Sequence, residues 1–202
     1  MSKLTIGAVF FPGFEMLDIY GPLELFSMHR DAFEIVAVAE RNEPVPASGG
    51  PATLPDAVFA DDRQFDMIIV PGGRGVRKEK TNSDMARWLV QQSDGGAWMT
   101  SVCTGSLLFA IAGLLDGRRA TTNKLAFDWV AEHRPQVDWQ PTARWVRDEK
   151  FITASGVSAG MDMAVDVIRE ILGEKAASNA AEWAEYVANT DPDNDPFARS
   201  ET

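Results

Sequence analysis

Trp98-Met99-Thr100-Ser101-Val102-Cys103-Thr104-Gly105-Ser106-Leu107-Leu108 reads as a β run that becomes a helix within one residue, with Cys103 at the junction. A strand feeding a helix with no loop between them is the signature of a parallel α/β sheet. Gly105 permits close packing where the chain reverses. The pattern is that of a nucleophile elbow, without the glycine two residues before the nucleophile that the esterase form carries. Such a turn holds the sulfur at the carboxyl end of the sheet, where open α/β sheets bind ligands. Unpaired amides at the helix start predict a lowered thiol pKa. A lone cysteine is often a small apolar filler, but Thr100, Ser101, Thr104 and Gly105 around this one do not make an apolar pocket.

Outward from this turn, β-branched runs alternate with helical spacing. Leu4–Phe11 reads as a first strand ending at Pro12-Gly13, and Met16–Met28 as a helix with Leu17, Tyr20, Leu23 and Leu25 as its apolar positions. Phe33–Ala39 is a second strand. Asp66–Val70 is a short continuous apolar run of the kind buried on both faces, stopping at Pro71-Gly72-Gly73. Asn82 or Ser83 caps a helix to about Gln92, and Ala97–Val102 with Thr104–Leu115 completes the cysteine unit. Arg144–Arg147 and Phe151–Ala154 flank a hairpin turn, and Ser158–Leu172 and Ala176–Ala188 are the closing helices. Residues 1–190 form a single α/β domain in this reading, and 191–202 an extended acidic tail.

Composition narrows the function. A net charge of −11, from 30 acidic and 19 basic residues, repels phosphate backbones and argues against nucleic-acid binding. Asp191, Asp193, Asp195 and Glu201 read as solubilising tail acids. No apolar run reaches the length of a membrane span, and the N-terminus reads as a strand rather than a signal peptide, so the expected compartment is the cytoplasm. One cysteine and two histidines, His29 and His133, make neither a disulfide nor a metal pattern, and no cofactor is expected.

Two further segments point to the edge of the sheet that carries Cys103. The Gly72-Gly73 loop can bring backbone amides close to a ligand and, with the Thr104 amide, form an oxyanion hole. Asp18, within an otherwise apolar helical turn beyond the first strand, would have a raised pKa if buried, giving an acid or base beside the thiol. Trp98, Phe14 and Trp145 are candidates for an apolar wall.

Together FPGFEMLDIYGPLELF, DMIIVPGG, SVCTGSLLFAIAGLLDGRRATTN, ARWVRDEKFITASGVSAGMDMA and EYVANTDPDNDPF, in that order, resemble the ThiJ/PfpI superfamily of the class I glutamine-amidotransferase-like fold, and within it the isonitrile hydratase branch. The resemblance implies a flavodoxin-like three-layer sandwich with a mostly parallel central sheet, a homodimer, a nucleophilic Cys103 and a nearby acid at Asp18. Thr104 matches the residue after the cysteine in the hydratase branch, and Gly72 and Gly73 match the loop lining the pocket. Protease-like members carry histidine after the cysteine, so Thr104 disfavours a protease. Many hydratase-like members have histidine where this chain has Asn123, which cannot titrate. Related regulators add a C-terminal helix-turn-helix, for which this chain shows no basic helical pair.

The expected function is a hydro-lyase that hydrates a small isonitrile to an N-substituted formamide. Cys103 would form a thioimidate, Asp18 would serve as acid and base, and Thr104, Gly72, Gly73 and Asn123 would bind the substrate or its developing charge. The alternatives are a glyoxalase-like hydratase of reactive dicarbonyls and a non-catalytic cysteine redox sensor.

Overall fold

β1 (Leu4–Val9) leads into α1 (Met16–Ser27) and returns as β2 (Phe33–Ala39) in the computed structural model, which describes residues 3–198. Three short strands follow: β3 (Val45–Pro46), β4 (Ala52–Thr53) and β5 (Ala57–Val58). β6 (Met67–Val70), α2 (Val76–Glu79), α3 (Ser83–Asp94), β7 (Trp98–Val102) and α4 (Ser106–Ile111) build the middle of the chain. Then come β8 (Arg119–Ala120), α5 (Phe127–His133), β9 (Asp138–Trp139), β10 (Trp145–Asp148), β11 (Phe151–Ala154), α6 (Ala159–Leu172) and α7 (Glu174–Trp183).

The main sheet has the order β10-β11-β7-β6-β1-β2-β5, parallel throughout except for the β10–β11 hairpin. Helices flank it, α1, α6 and α7 packing with one another and α4 packing with α2, α3 and α5. β6 and β7 are buried on both faces, which is why Met67–Val70 reads as an unbroken apolar run. β1 lies between β2 and β6, so the chain order reverses between β1 and β6. Loops leaving the carboxyl ends of strands at such a switch point diverge and leave room for a site.

Several boundaries differ from the sequence reading for identifiable reasons. The first strand stops at Val9, and Phe10 and Phe11 pack into the core beyond the ladder. Asn82 is the cap of α3, accepting from the Asp84 and Met85 amides. The helix expected from Thr104 is split: Cys103–Gly105 is a 3-10 turn and α4 is only six residues long.

Of the four apolar positions read in α1, Leu23 and Leu25 are buried while Leu17 and Tyr20 are 45% and 43% exposed, and Asp18 is fully buried. Asp18, Gly21, Pro22 and Leu25 form the inward stripe because they recur at helical spacing toward the sheet. In the acidic segment Asp191 and Asp193 are exposed, as a solvated tail requires, but Asp195 is not. Asp195 is 3% exposed and meets the Arg144 guanidinium, which is itself buried and needs a counter-charge. Glu201 lies outside the described residues.

Candidate active site

Cys103 follows the last residue of β7 and takes φ +58, a left-handed conformation that costs a non-glycine residue on the order of 1–3 kcal/mol. The surrounding backbone holds it there. Its amide donates to the Ser155 carbonyl at 2.9 Å, and its carbonyl accepts from Thr122 Oγ1 at 3.0 Å and Ser106 Oγ at 3.3 Å. The residue is 7% exposed. The elbow expected from the sequence is present, positioned by side chains from α4 and the loop before α5 that the sequence reading did not select.

Asp18 comes to the same point from the first turn of α1. Its Oδ2 accepts from the Gly72 amide at 2.9 Å, while Oδ1 has no hydrogen-bond partner among the described residues. Burial raises its pKa from the usual 3.8 to about 7; the Gly72 bond opposes that shift, Glu15 adds to it, and the Cys103 thiol opposes it. Burial therefore outweighs both the Gly72 amide and the positive end of α1.

The thiol titrates in the direction opposite to the expectation. Burial and then the Asp18 carboxylate push the Cys103 pKa well above its ordinary value, while the Thr104 amide and the Asn123 side chain oppose that rise by donating to the sulfur. The amide donor at the start of the turn is present, but burial outweighs it. Near neutral pH the sulfur is therefore a thiol, beside a carboxyl group whose pKa is about 7.

The glycine loop is also employed differently. The Gly72 amide is committed to Asp18 and the Gly73 amide to Thr104 Oγ1 at 3.2 Å. Neither is free as an oxyanion donor. A Cβ at residue 72 would stand 2.6 Å from the Thr104 nitrogen, 2.7 Å from Thr104 Oγ1 and 2.9 Å from Asp18 Oδ2. Glycine is required there so that three site groups can converge. Thr104 Oγ1, accepting from Gly73, keeps its own proton for a ligand.

Asn123 has a fixed orientation. Its Oδ1 accepts from the Leu125 and Ala126 amides at 2.9 and 3.1 Å, capping a 3-10 turn, which leaves Nδ2 as the group that donates to the sulfur. The aromatic wall, in contrast, is not assembled. Phe14 is fully buried against Phe10, Trp145 is buried with its Nε1 on Asp166, and Trp98 lies at the far end of β7 from Cys103. A cleft of about 230 Å³ lined by Phe11, Glu40, Lys78 and Glu79 contains none of the predicted site residues. Cys103, Asp18, Thr104 and Asn123 meet instead at the enclosed position at the end of β7. Among the described residues no group of histidine, cysteine or carboxylate side chains could hold a metal, and no helix is long and apolar enough to cross a membrane.

The DJ-1/PfpI family profile matches residues 5–170. An isonitrile hydratase of Pseudomonas putida is 34% identical over 184 residues, covering 91% of this chain and 78% of the hydratase. The HTH-type transcriptional regulator CdhR of Pseudomonas aeruginosa is 28% identical over 175 residues, covering 85% of this chain but 52% of the regulator. The crystal structure of a ThiJ/PfpI family protein from Pseudomonas syringae superposes with a TM-score of 0.83 at 30% identity, covering 94% of this chain and 77% of that one.

Proposed function

This chain belongs to the DJ-1/PfpI family, and from that premise we propose that it is a cytoplasmic enzyme hydrating a small isonitrile to an N-substituted formamide. The observation that carries the reading is the buried pair of Cys103 and Asp18, whose carboxyl has a pKa of about 7 beside a thiol too basic to ionise alone. The 34% identity to an isonitrile hydratase supports the substrate class.

In the proposed cycle the Asp18 carboxylate takes the thiol proton as the sulfur attacks the terminal carbon of R–N≡C. Asp18 returns that proton to the same carbon, giving the thioimidate R–N=CH–S–Cys103. Water then adds across the C=N bond. One of its protons goes to nitrogen and its hydroxyl to carbon. Collapse expels the sulfur, which recovers the hydroxyl proton, and R–NH–CHO leaves. The Thr104 hydroxyl donates to the substrate nitrogen or to water, and Asn123 Nδ2 stabilises negative charge on sulfur. Gly72 and Gly73 serve by orienting Asp18 and Thr104.

The test mixes purified protein with an alkyl isonitrile and follows formamide by mass spectrometry. Formamide production that persists in Cys103→Ala overturns the mechanism. Lactate release from methylglyoxal, with no formamide from isonitriles, would replace this reading by the dicarbonyl one. A redox-sensing role requires an accessible, readily ionised thiol, and the burial and raised pKa of Cys103 argue against it.

The proposal includes a homodimer. Leu17, Tyr20 and Leu54, exposed at 45%, 43% and 63%, are large apolar side chains on α1 and just beyond β4. A second copy of the chain would cover them.

A further inference from the structure

Arg144 stands just before β10 with its side chain almost wholly buried, and it gathers the C-terminal segment and the start of α6 around one guanidinium. Its Nε donates to Asp162 Oδ2 at 2.8 Å and one terminal nitrogen donates to Ser158 Oγ at 3.1 Å. That nitrogen also lies 2.7 Å from Asp162 Oδ2, and the other terminal nitrogen is 3.5 Å from Asp195 Oδ2. Asp162 Oδ1 in turn accepts from Tyr186 Oη at 2.6 Å and the Asn189 amide at 2.8 Å. The backbone joins the same hub: the Arg144 amide donates to the Pro192 carbonyl at 2.7 Å, and the Asp195 amide to Thr142 at 2.7 Å.

Two routes lead from this hub to the nucleophile. The Arg144 carbonyl accepts from the Ser155 amide at 2.8 Å, and the Ser155 carbonyl accepts from the Cys103 amide at 2.9 Å. The second runs through the donor to the sulfur. Lys124, next to Asn123 and 5% exposed, gives its Nζ to the Ala143 carbonyl at 2.6 Å and Thr121 Oγ1 at 2.8 Å. Gly156, in the turn that the guanidinium braces through Ser158, lies against Asn123: a Cβ at 156 would be 2.0 Å from Asn123 Nδ2. The strained φ of Cys103 and the aim of Asn123 thus depend on neighbours of a single buried arginine.

We propose that Arg144, held by Asp162 and Asp195, is a positioning residue that sets the Cys103 turn and the Asn123 donor, and that the C-terminal segment around Pro192 and Asp195 acts on the site through it. The proposal rests on Cys103 being the reacting group. A planar fork that binds two carboxylates and a hydroxyl is not replaced by an ammonium, and a small misplacement of a reacting group can cost about 10²-fold in rate.

The experiment compares wild type, Arg144→Lys and Asp195→Asn in the full chain. Arg147→Lys is a structural control, because Arg147 lies on the same hairpin but pairs with Asp166 and Glu170 of α6 rather than with the Arg144 hub. Circular dichroism and thermal melting establish folding. The rate of Cys103 carbamidomethylation is then measured across pH, alongside kcat and KM for an alkyl isonitrile. Arg144→Lys is expected to lower kcat by about 10–100-fold with little change in KM, and to displace the alkylation profile. Arg147→Lys should lower the melting temperature and leave that profile in place. A folded Arg144→Lys protein with wild-type kcat and a wild-type alkylation profile overturns the proposal. If Arg144→Lys does not fold, the same readouts on Asp195→Asn decide it. If wild type turns over no isonitrile, the alkylation profile alone decides, so the hydratase reading can fail while the positioning role stands.

Discussion

The Gly72 amide donates to Asp18 Oδ2 at 2.9 Å, and this bond makes the loop after β6 a support for the acid rather than a cradle for substrate. It fixes one carboxyl oxygen and leaves Oδ1 without a partner among the described residues. A buried carboxyl held on one side is suited to move a proton on the other.

Gly72→Ala is therefore expected to damage catalysis out of proportion to its size. The added methyl would meet Thr104 and Asp18 at under 3 Å, and overpacking of this kind costs about 1–3 kcal/mol of stability. The kcat for an alkyl isonitrile should fall by about 10²-fold while the variant remains folded at 25 °C, as checked by steady-state kinetics and urea denaturation.

The pH behaviour follows from Asp18. Its folded pKa of about 7 exceeds the usual 3.8, so the folded protein holds this proton more tightly than the unfolded chain. Unfolding between those pH values releases a proton, and stability falls as pH rises across that window, by at most about 4 kcal/mol from this group. Above pH 7 its contribution no longer changes. Since the carboxylate is the base, kcat/KM should rise through about pH 7 and level off. Asp18→Asn should abolish that rise, lower kcat by about 10²–10⁴-fold, and flatten the pH dependence of urea stability.

Asn123→Asp separates capping from charge. The new carboxylate can still accept from the Leu125 and Ala126 amides, so the 3-10 turn should persist. It places a negative charge where a donor faced the sulfur, which raises the thiol pKa further. Slower carbamidomethylation of Cys103 at pH 8 with an unchanged melting temperature is the expected result. Asn123→Ala instead removes a cap worth about 0.5–2 kcal/mol and should lower the melting temperature.

The apolar positions on α1 and beyond β4 give an assembly test. Light scattering should report a dimer for wild type, and Leu17→Glu with Leu54→Glu should shift it toward monomer, since an exposed charge opposes burial of that face.

Much of the architecture was legible because it rests on local patterns. The all-apolar Met67–Val70, the Asn82 cap and the strand-to-helix turn at Cys103 each declare themselves within a few residues. Spacing misled where one helical face had two candidates for the inside. In α1 the apolar positions were Leu17, Tyr20, Leu23 and Leu25; Leu23 and Leu25 are buried, Leu17 and Tyr20 are exposed, and Asp18 takes an inward place. Trp98, Phe14 and Trp145 were read as a possible pocket wall by type alone; Trp98 sits at the far end of β7, Trp145 is bonded to Asp166, and Phe14 is packed against Phe10. Arg144, Ser155 and Lys124 could not be selected from sequence, because the partners that tie them to the site, Ser155 for Arg144, Cys103 for Ser155 and Ala143 for Lys124, lie 11, 52 and 19 residues away along the chain.

The cysteine at the elbow and the acid on the first helix were thus fixed by the sequence, as residue types at positions that a parallel α/β fold brings to one edge. Their electrostatics were not. A strand-to-helix junction by itself suggests an easily ionised thiol, whereas burial raises both Cys103 and Asp18. Desolvation depends on every atom packed around a group, and hydrogen bonds such as Gly72 to Asp18 depend on chains that meet only after folding. Only the tertiary structure could decide that both groups are pushed up in pKa and that the Gly72 amide is bonded to Asp18.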